Sequence, residues 1–219
     1  MGEPMTEEEW EASRNPVEML EQVRTAPRGK LSWFGRLFDD RQLSHRKLEM
    51  LSVAWSRCFG NLLDDATRRM FDNAEEYADR GERLVDQNQL QPLFDCLTRH
   101  DGVERMAIDA LIILFCVGPR DVLIGADFDP RLRDDLIHLV RDIFGSPFHP
   151  IECDPRWRTA NAVDLARTIY EEKAFDRMPI LADALLDAGC SDETVSEHCR
   201  SDGPHVRGCW VVDLVLDKS

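Results

Sequence analysis

Cys190, His198, Cys199, His205 and Cys209 form the densest group of potential ligands in this 219-residue chain. Thiolates and imidazoles are the donors that Zn²⁺ prefers, and four of them close a tetrahedral structural site. The spacing argues against one, because zinc knuckles pair their ligands two to four residues apart. His198 and Cys199 are adjacent, so on a helix they point about 100° apart. The sequence therefore leads us to expect no bound metal; Cys190 and Cys209 read as small buried hydrophobes, with His198 and His205 facing polar surroundings. Were metal present, Cys190, His198, His205 and Cys209 would be the ligands.

A second arrangement is nucleophilic. If the tail from Pro204 to Leu216 is one helix, His205, Cys209 and Asp213 fall at i, i+4 and i+8 on one face. A thiol, an imidazole and an orienting carboxylate make an activated nucleophile. Triad members normally come from separate elements, so no catalytic residue is expected there. The remaining signatures are missing: there is no G-x-G-x-x-G, no G-x-x-x-x-G-K-[ST], no G-x-S-x-G and no H-E-x-x-H. No E-x-x-H pair marks a carboxylate-bridged di-iron bundle. Adjacent acids such as Asp39-Asp40, Asp64-Asp65, Glu75-Glu76, Asp134-Asp135 and Glu171-Glu172 read as solvated surface and helix caps. No cofactor is expected.

The charge restricts partners. With 27 basic against 42 acidic residues, the net charge is −15. Nucleic acids and anionic membranes are disfavoured, since both are held through Lys and Arg. A protein with a basic surface is the partner this charge suits. Only Lys30, Lys47, Lys173 and Lys218 are lysines, a skew that reads as coding bias. Seven scattered cysteines with no C-x-x-C pair suggest a reducing cytoplasm. The start of the chain has neither the basic nor the apolar region of a secretory signal. The most apolar stretch, Ala107 to Val117, is too short to span a bilayer and reads as a buried helix.

The elements that must position these residues read as helices throughout. Thr6-Glu7-Glu8-Glu9 is a capping box, and Asn15-Pro16 is an N-cap followed by proline. Residues 25–42 read as a loop or broken helix carrying Trp33, Phe34 and Phe38. Apolar stripes at three- and four-residue steps run from Ser44 and again from Asp65. A shorter helix spans Leu90 to Leu97, with Pro92 in its first turn. Val103 to Val117 reads as the most buried helix. Asp129-Pro130 starts another that Gly145-Ser146-Pro147 ends, and Phe148 to Trp157 is too proline-rich for helix. Asn161, Pro179 and Ser191 then mark three further starts, with Gly189 a left-handed stop.

The expectation is an all-α, compact bundle of about eight to ten helices forming a single domain over residues 1–219. Its parts are an N-terminal arm (1–43), central helices (44–145) and a C-terminal segment (146–219). Trp10, Trp33, Phe34 and Phe38 exceed local core needs; they pack on the body or offer anchors to a partner.

Some stretches resemble a known group. Asp142-Ile143-Phe144-Gly145-Ser146-Pro147-Phe148, Ala174-Phe175-Asp176-Arg177-Met178-Pro179-Ile180-Leu181, Asp187-Ala188-Gly189-Cys190 and Gly203-Pro204-His205-Val206-Arg207-Gly208-Cys209-Trp210 are similar to a family of bacterial proteins common in planctomycetes. Met5-Thr6-Glu7-Glu8-Glu9-Trp10 and Asn15-Pro16-Val17-Glu18-Met19-Leu20 resemble its start, while residues 80–130 depart from it. The resemblance implies an intact bacterial protein, brings no established activity, and points to His205, Arg207 and Trp210 as residues to watch. The functional expectation is a non-catalytic interaction module, an accessory or regulatory subunit; the alternative is a small enzyme or zinc protein using the C-terminal His/Cys cluster.

Overall fold

A computed structural model describes residues 5–25, 44–82, 87–100 and 130–218. These hold ten α-helices and no strand, so the chain is an all-α multi-helix bundle. We number them α1 (Glu7–Ala12), α2 (Pro16–Thr25), α3 (His45–Ser56), α4 (Asp65–Asp79), α5 (Gln87–Leu97), α6 (Pro130–Phe144), α7 (Ala160–Glu172), α8 (Met178–Asp187), α9 (Glu193–Arg200) and α10 (Trp210–Leu216). None is long and apolar enough to cross a membrane. The helix expected over Val103–Val117 and residues 26–42 of the expected 25–42 loop, with Trp33, Phe34 and Phe38, lie outside the described residues, while Thr25 ends α2.

Caps set most of the boundaries. Thr6 accepts from the Glu9 N–H while the Glu9 carboxylate reaches back to the Thr6 N–H, closing the expected box. The Asn15 carboxamide accepts from the Val17 N–H ahead of Pro16. Two starts shift by a residue or two from expectation. Thr159, not Asn161, caps α7 by accepting from Ala162, and Asp192, not Ser191, caps α9 by accepting from Thr194 and Val195. In each case a nearby oxygen side chain reaches the orphan N–H groups better. Helix α5 begins at Gln87, which leaves Pro92 inside the helix.

The tail departs most from the sequence reading. Pro204 does not open a helix; residues 202–206 are irregular, Arg207-Gly208 is a turn, and α10 starts only at Trp210. Arg207 and Gly208 account for the late start, because Gly208 is left-handed (φ 91°) and cannot sit within a helix. A Cβ on Gly208 would stand 3.0 Å from Met50 Cβ. Gly208→Ala is therefore expected to destabilise by about 1–3 kcal/mol. A urea-unfolding midpoint that falls at unchanged m-value is the check.

Burial divides into two clusters. One gathers Trp10, Leu20, Leu51, Trp55, Phe71, Leu93, Leu136 and Ile143 from α1 to α6. The other gathers Ala166, Ile169, Leu181, Val195, Cys209 and Val212 from α7 to α10. Trp10 is 1% exposed, lies edge-on to Phe148, and is held by Arg141, whose Nη2 donates to the Trp10 and Glu11 carbonyls. As an anchor Trp10 serves the body of the protein, not a free surface. Where α6 and α3 meet α10, the two clusters are joined by buried polar groups.

Candidate metal centre

Asp142 leaves the buried side of α6, His198 the side of α9, His205 the irregular segment and Cys209 the residue before α10. Each is placed by a different local constraint. Asp142 is tethered because its second oxygen accepts the Val206 N–H at 3.0 Å. His198 is held between the rings of His205 (4.9 Å between centroids) and Trp210 (5.1 Å). Trp210 is in turn fixed against Gly145, where a Cβ would come within 3.2 Å of the indole. The Cys209 N–H donates to the Val206 carbonyl, closing the turn that aims its sulfur inward.

Four donor atoms then converge. His205 Nδ1 lies 2.7 Å and His198 Nε2 3.2 Å from the same Asp142 oxygen, Oδ1. His198 Nε2 is also 3.2 Å from Cys209 Sγ. All four atoms fall within 4.8 Å of one another. Zinc bonds of about 2.0–2.3 Å at tetrahedral angles place ligand atoms about 3.3–3.7 Å apart. An ion therefore requires the tightest pair to open by about 0.6 Å and a pair at the 4.8 Å limit to close by about 1 Å. An outer shell is in place as well: His205 Nε2 faces Ser201 Oγ at 3.4 Å, which fixes the ring that turns Nδ1 inward.

Electrostatics agrees with an acceptor-rich centre. Burial works to raise the Asp142 carboxyl, but hydrogen bonds and charge from His198 and His205 hold it below the usual carboxylate range. Burial, with Asp142 adding to it, pushes the Cys209 thiol well above its ordinary value, against the pull of the Val211 and Val212 N–H groups. Without a cation, Cys209 is a neutral thiol at pH 7. That makes it a poor nucleophile and a proton-releasing ligand.

Of the four residues that would be ligands were metal present, the structure brings together His198, His205 and Cys209, with Asp142 in place of Cys190. Cys190 packs in the second cluster at 5% exposure, and Cys199 is fully buried there with its thiol pushed up to about 12. Asp142 takes the place expected of Cys190. The sequence offered one sign of it, a lone carboxylate beside the apolar stripe of Leu136, Leu139, Val140 and Ile143. Asp213 does not join His205 and Cys209; it turns to α3, accepting from Arg46 Nη1 at 2.8 Å and pairing with Lys47 at 2.5 Å. Arg207 also turns inward, donating to the Tyr170 carbonyl and to Glu75.

Comparison with protein families, characterised proteins and solved structures gives no match for this chain.

Proposed function

We propose that this chain is a zinc-binding helical protein in which the ion clasps the two core clusters together, a structural and non-catalytic role. The observation that carries the reading is the convergence of Asp142 Oδ1, His198 Nε2, His205 Nδ1 and Cys209 Sγ. One oxygen, two nitrogens and one sulfur from four separate elements satisfy a tetrahedral ion without leaving a position open for substrate. Asp142 belongs to the first cluster's helix, His198 and Cys209 to the second cluster's segments, and His205 to the irregular stretch whose Val206 packs on the first cluster. Bound zinc replaces the protons these atoms share and supplies a positive charge to the buried carboxylate and thiolate.

The acidic surface supports the further role expected from sequence, an accessory protein that meets a basic partner in the cytoplasm. On this reading the zinc maintains the fold that presents that surface.

Elemental analysis of the full chain tests the proposal. Protein purified without added metal should carry one zinc per chain, and His205→Ala or Asp142→Ala should lower occupancy to a small fraction. Substoichiometric zinc that the two substitutions leave unchanged would overturn it.

Proton coupling provides a separate check. Because the Cys209 thiol titrates well above neutrality, binding zinc must release its proton. Apparent zinc affinity is then expected to rise about tenfold per pH unit between about pH 7 and 8. A competition titration with a chromogenic chelator measures that slope, and Cys209→Ser should flatten it.

A further inference from the structure

Six cations and three carboxylates line the seam beside the metal centre. Arg46, Lys47, Arg57, Lys173, Arg207 and Lys218 surround Glu75, Asp79 and Asp213. Asp72, which also touches Arg57, stands largely in solvent at 63% exposure. Among the described residues this leaves a local excess of positive charge in a chain whose net charge is −15. The excess is concentrated on Glu75. Its side chain is 3% exposed, yet it takes Arg57 at 3.0 Å on one oxygen, and Lys173 at 2.8 Å and Arg207 at 3.4 Å on the other.

Joining two buried clusters requires balanced pairs, not a surplus, since like charges held together repel. The surplus faces outward. Lys173 and Lys218 are 45% and 32% exposed, whereas Arg46 and Lys47, deeper in the seam, are 9% and 6%. Buried Tyr170 lies beneath two of the cations: Arg207 is 4.8 Å and Lys218 4.3 Å from its ring centroid. Three of the four lysines in this arginine-rich chain belong to the cluster.

We propose that Lys173, Arg207 and Lys218, with Arg57 at the rim, form a binding site for a phosphoryl dianion. A phosphate oxygen set can bridge single guanidinium N–H groups and two ammonium groups at once. The ligand is a small one. A polyanion would meet the acidic surface all around, while repulsion from distant carboxylates is screened beyond about 8 Å at physiological ionic strength. The dianion is either free inorganic phosphate or a phosphate ester of a small molecule. This site uses none of the four zinc ligands, so it stands or falls apart from the metal reading.

The test is calorimetric titration of the full chain at fixed ionic strength, with inorganic phosphate in one arm, glycerol 3-phosphate in another and chloride as control. Saturable binding of either phosphate, weakened at least tenfold in Lys173→Met and in Lys218→Met, is the expected result. Tighter binding of inorganic phosphate assigns the free ion, and tighter binding of the ester assigns a carried phosphoryl group. Heats no different from chloride in wild type would overturn the proposal. So would binding that survives in both variants at unchanged affinity. Zinc content, measured on the same samples, should not move with either substitution.

Discussion

Stripping zinc from the folded chain is expected to lower its melting midpoint by about 8–16 °C. The figure follows from linkage: a ligand held at a thousand times its dissociation constant adds about 4 kcal/mol, and a chain of this size loses about 2–4 °C per kcal/mol. The cost is specific to the junction. Without the ion, Asp142 keeps only its bonds from His198, His205 and the Val206 N–H, and Cys209 returns to a buried neutral thiol. Differential scanning calorimetry with and without a chelator reads the shift, and re-addition of one equivalent of zinc should restore the midpoint. A chelated protein that melts within about 2 °C of the untreated one contradicts a structural ion at this site.

Asp213→Ala should be the most damaging single substitution in the cationic seam, costing about 3–5 kcal/mol. Asp213 is 3% exposed and accepts two bonds from Arg46 while contacting Lys47 Nζ. Lys47 also donates to the Ile143 carbonyl at 3.0 Å and the Gly208 carbonyl at 2.7 Å. Burial pushes the Lys47 ammonium below its ordinary value despite Asp213, so removing the carboxylate leaves Lys47 with carbonyl partners alone and Arg46 with Asp79 and Tyr170. Asp213→Asn keeps the shape and should cost less. Lys47→Met combined with Asp213→Leu should recover only part of the loss, because it removes the unpaired Lys47 charge but still takes two hydrogen bonds from buried Arg46. Urea unfolding of the three variants measures this. The pH dependence follows from the direction of the shift. Burial raises the Asp213 carboxyl, but Lys47 and Arg46 hold it below the usual range. A depressed carboxylate contributes stability above its unfolded value of about 4, and that stability is lost as pH falls through the lower folded value.

Much of the fold was legible because helix signals are local. The capping box at Thr6, proline at the first position of α2 and glycine at the end of α8 each act within one turn, so residue type and spacing suffice. The boundaries of α7 and α9 slipped because Thr159 competes with Asn161, and Asp192 with Ser191, at the same cap. Which oxygen reaches the N–H groups is decided by backbone angles, not by residue type. The tail misled through its uniform apolarity: Val211, Val212, Leu214 and Val215 carry no period, and Gly208 was the only mark of where helix could begin.

The site was half legible. His198, His205 and Cys209 lie within twelve residues, so their chemistry is visible as a local cluster. Asp142 comes from 56 residues before His198, and only packing of α6 against the tail brings it in. The same distance hides the seam. Arg46 and Lys47 open α3 with no sign that Asp213, 167 residues from Arg46, completes them. A shared face for His205, Cys209 and Asp213 requires the tail to be one helix; the turn at Arg207-Gly208 breaks it, and the Asp213 carboxylate pairs with Arg46 and Lys47 instead.

Cobalt(II) titration of metal-free protein tests the metal centre most directly, because its spectrum reports both geometry and the presence of sulfur. One equivalent should produce intense tetrahedral d–d bands with a thiolate-to-cobalt charge-transfer band in the near ultraviolet. Zinc should displace it one for one, and Cys209→Ser should remove the charge-transfer band alone. A titration that yields only the weak spectrum of hydrated octahedral cobalt, in wild type and Cys209→Ser alike, would contradict a centre built from Asp142, His198, His205 and Cys209.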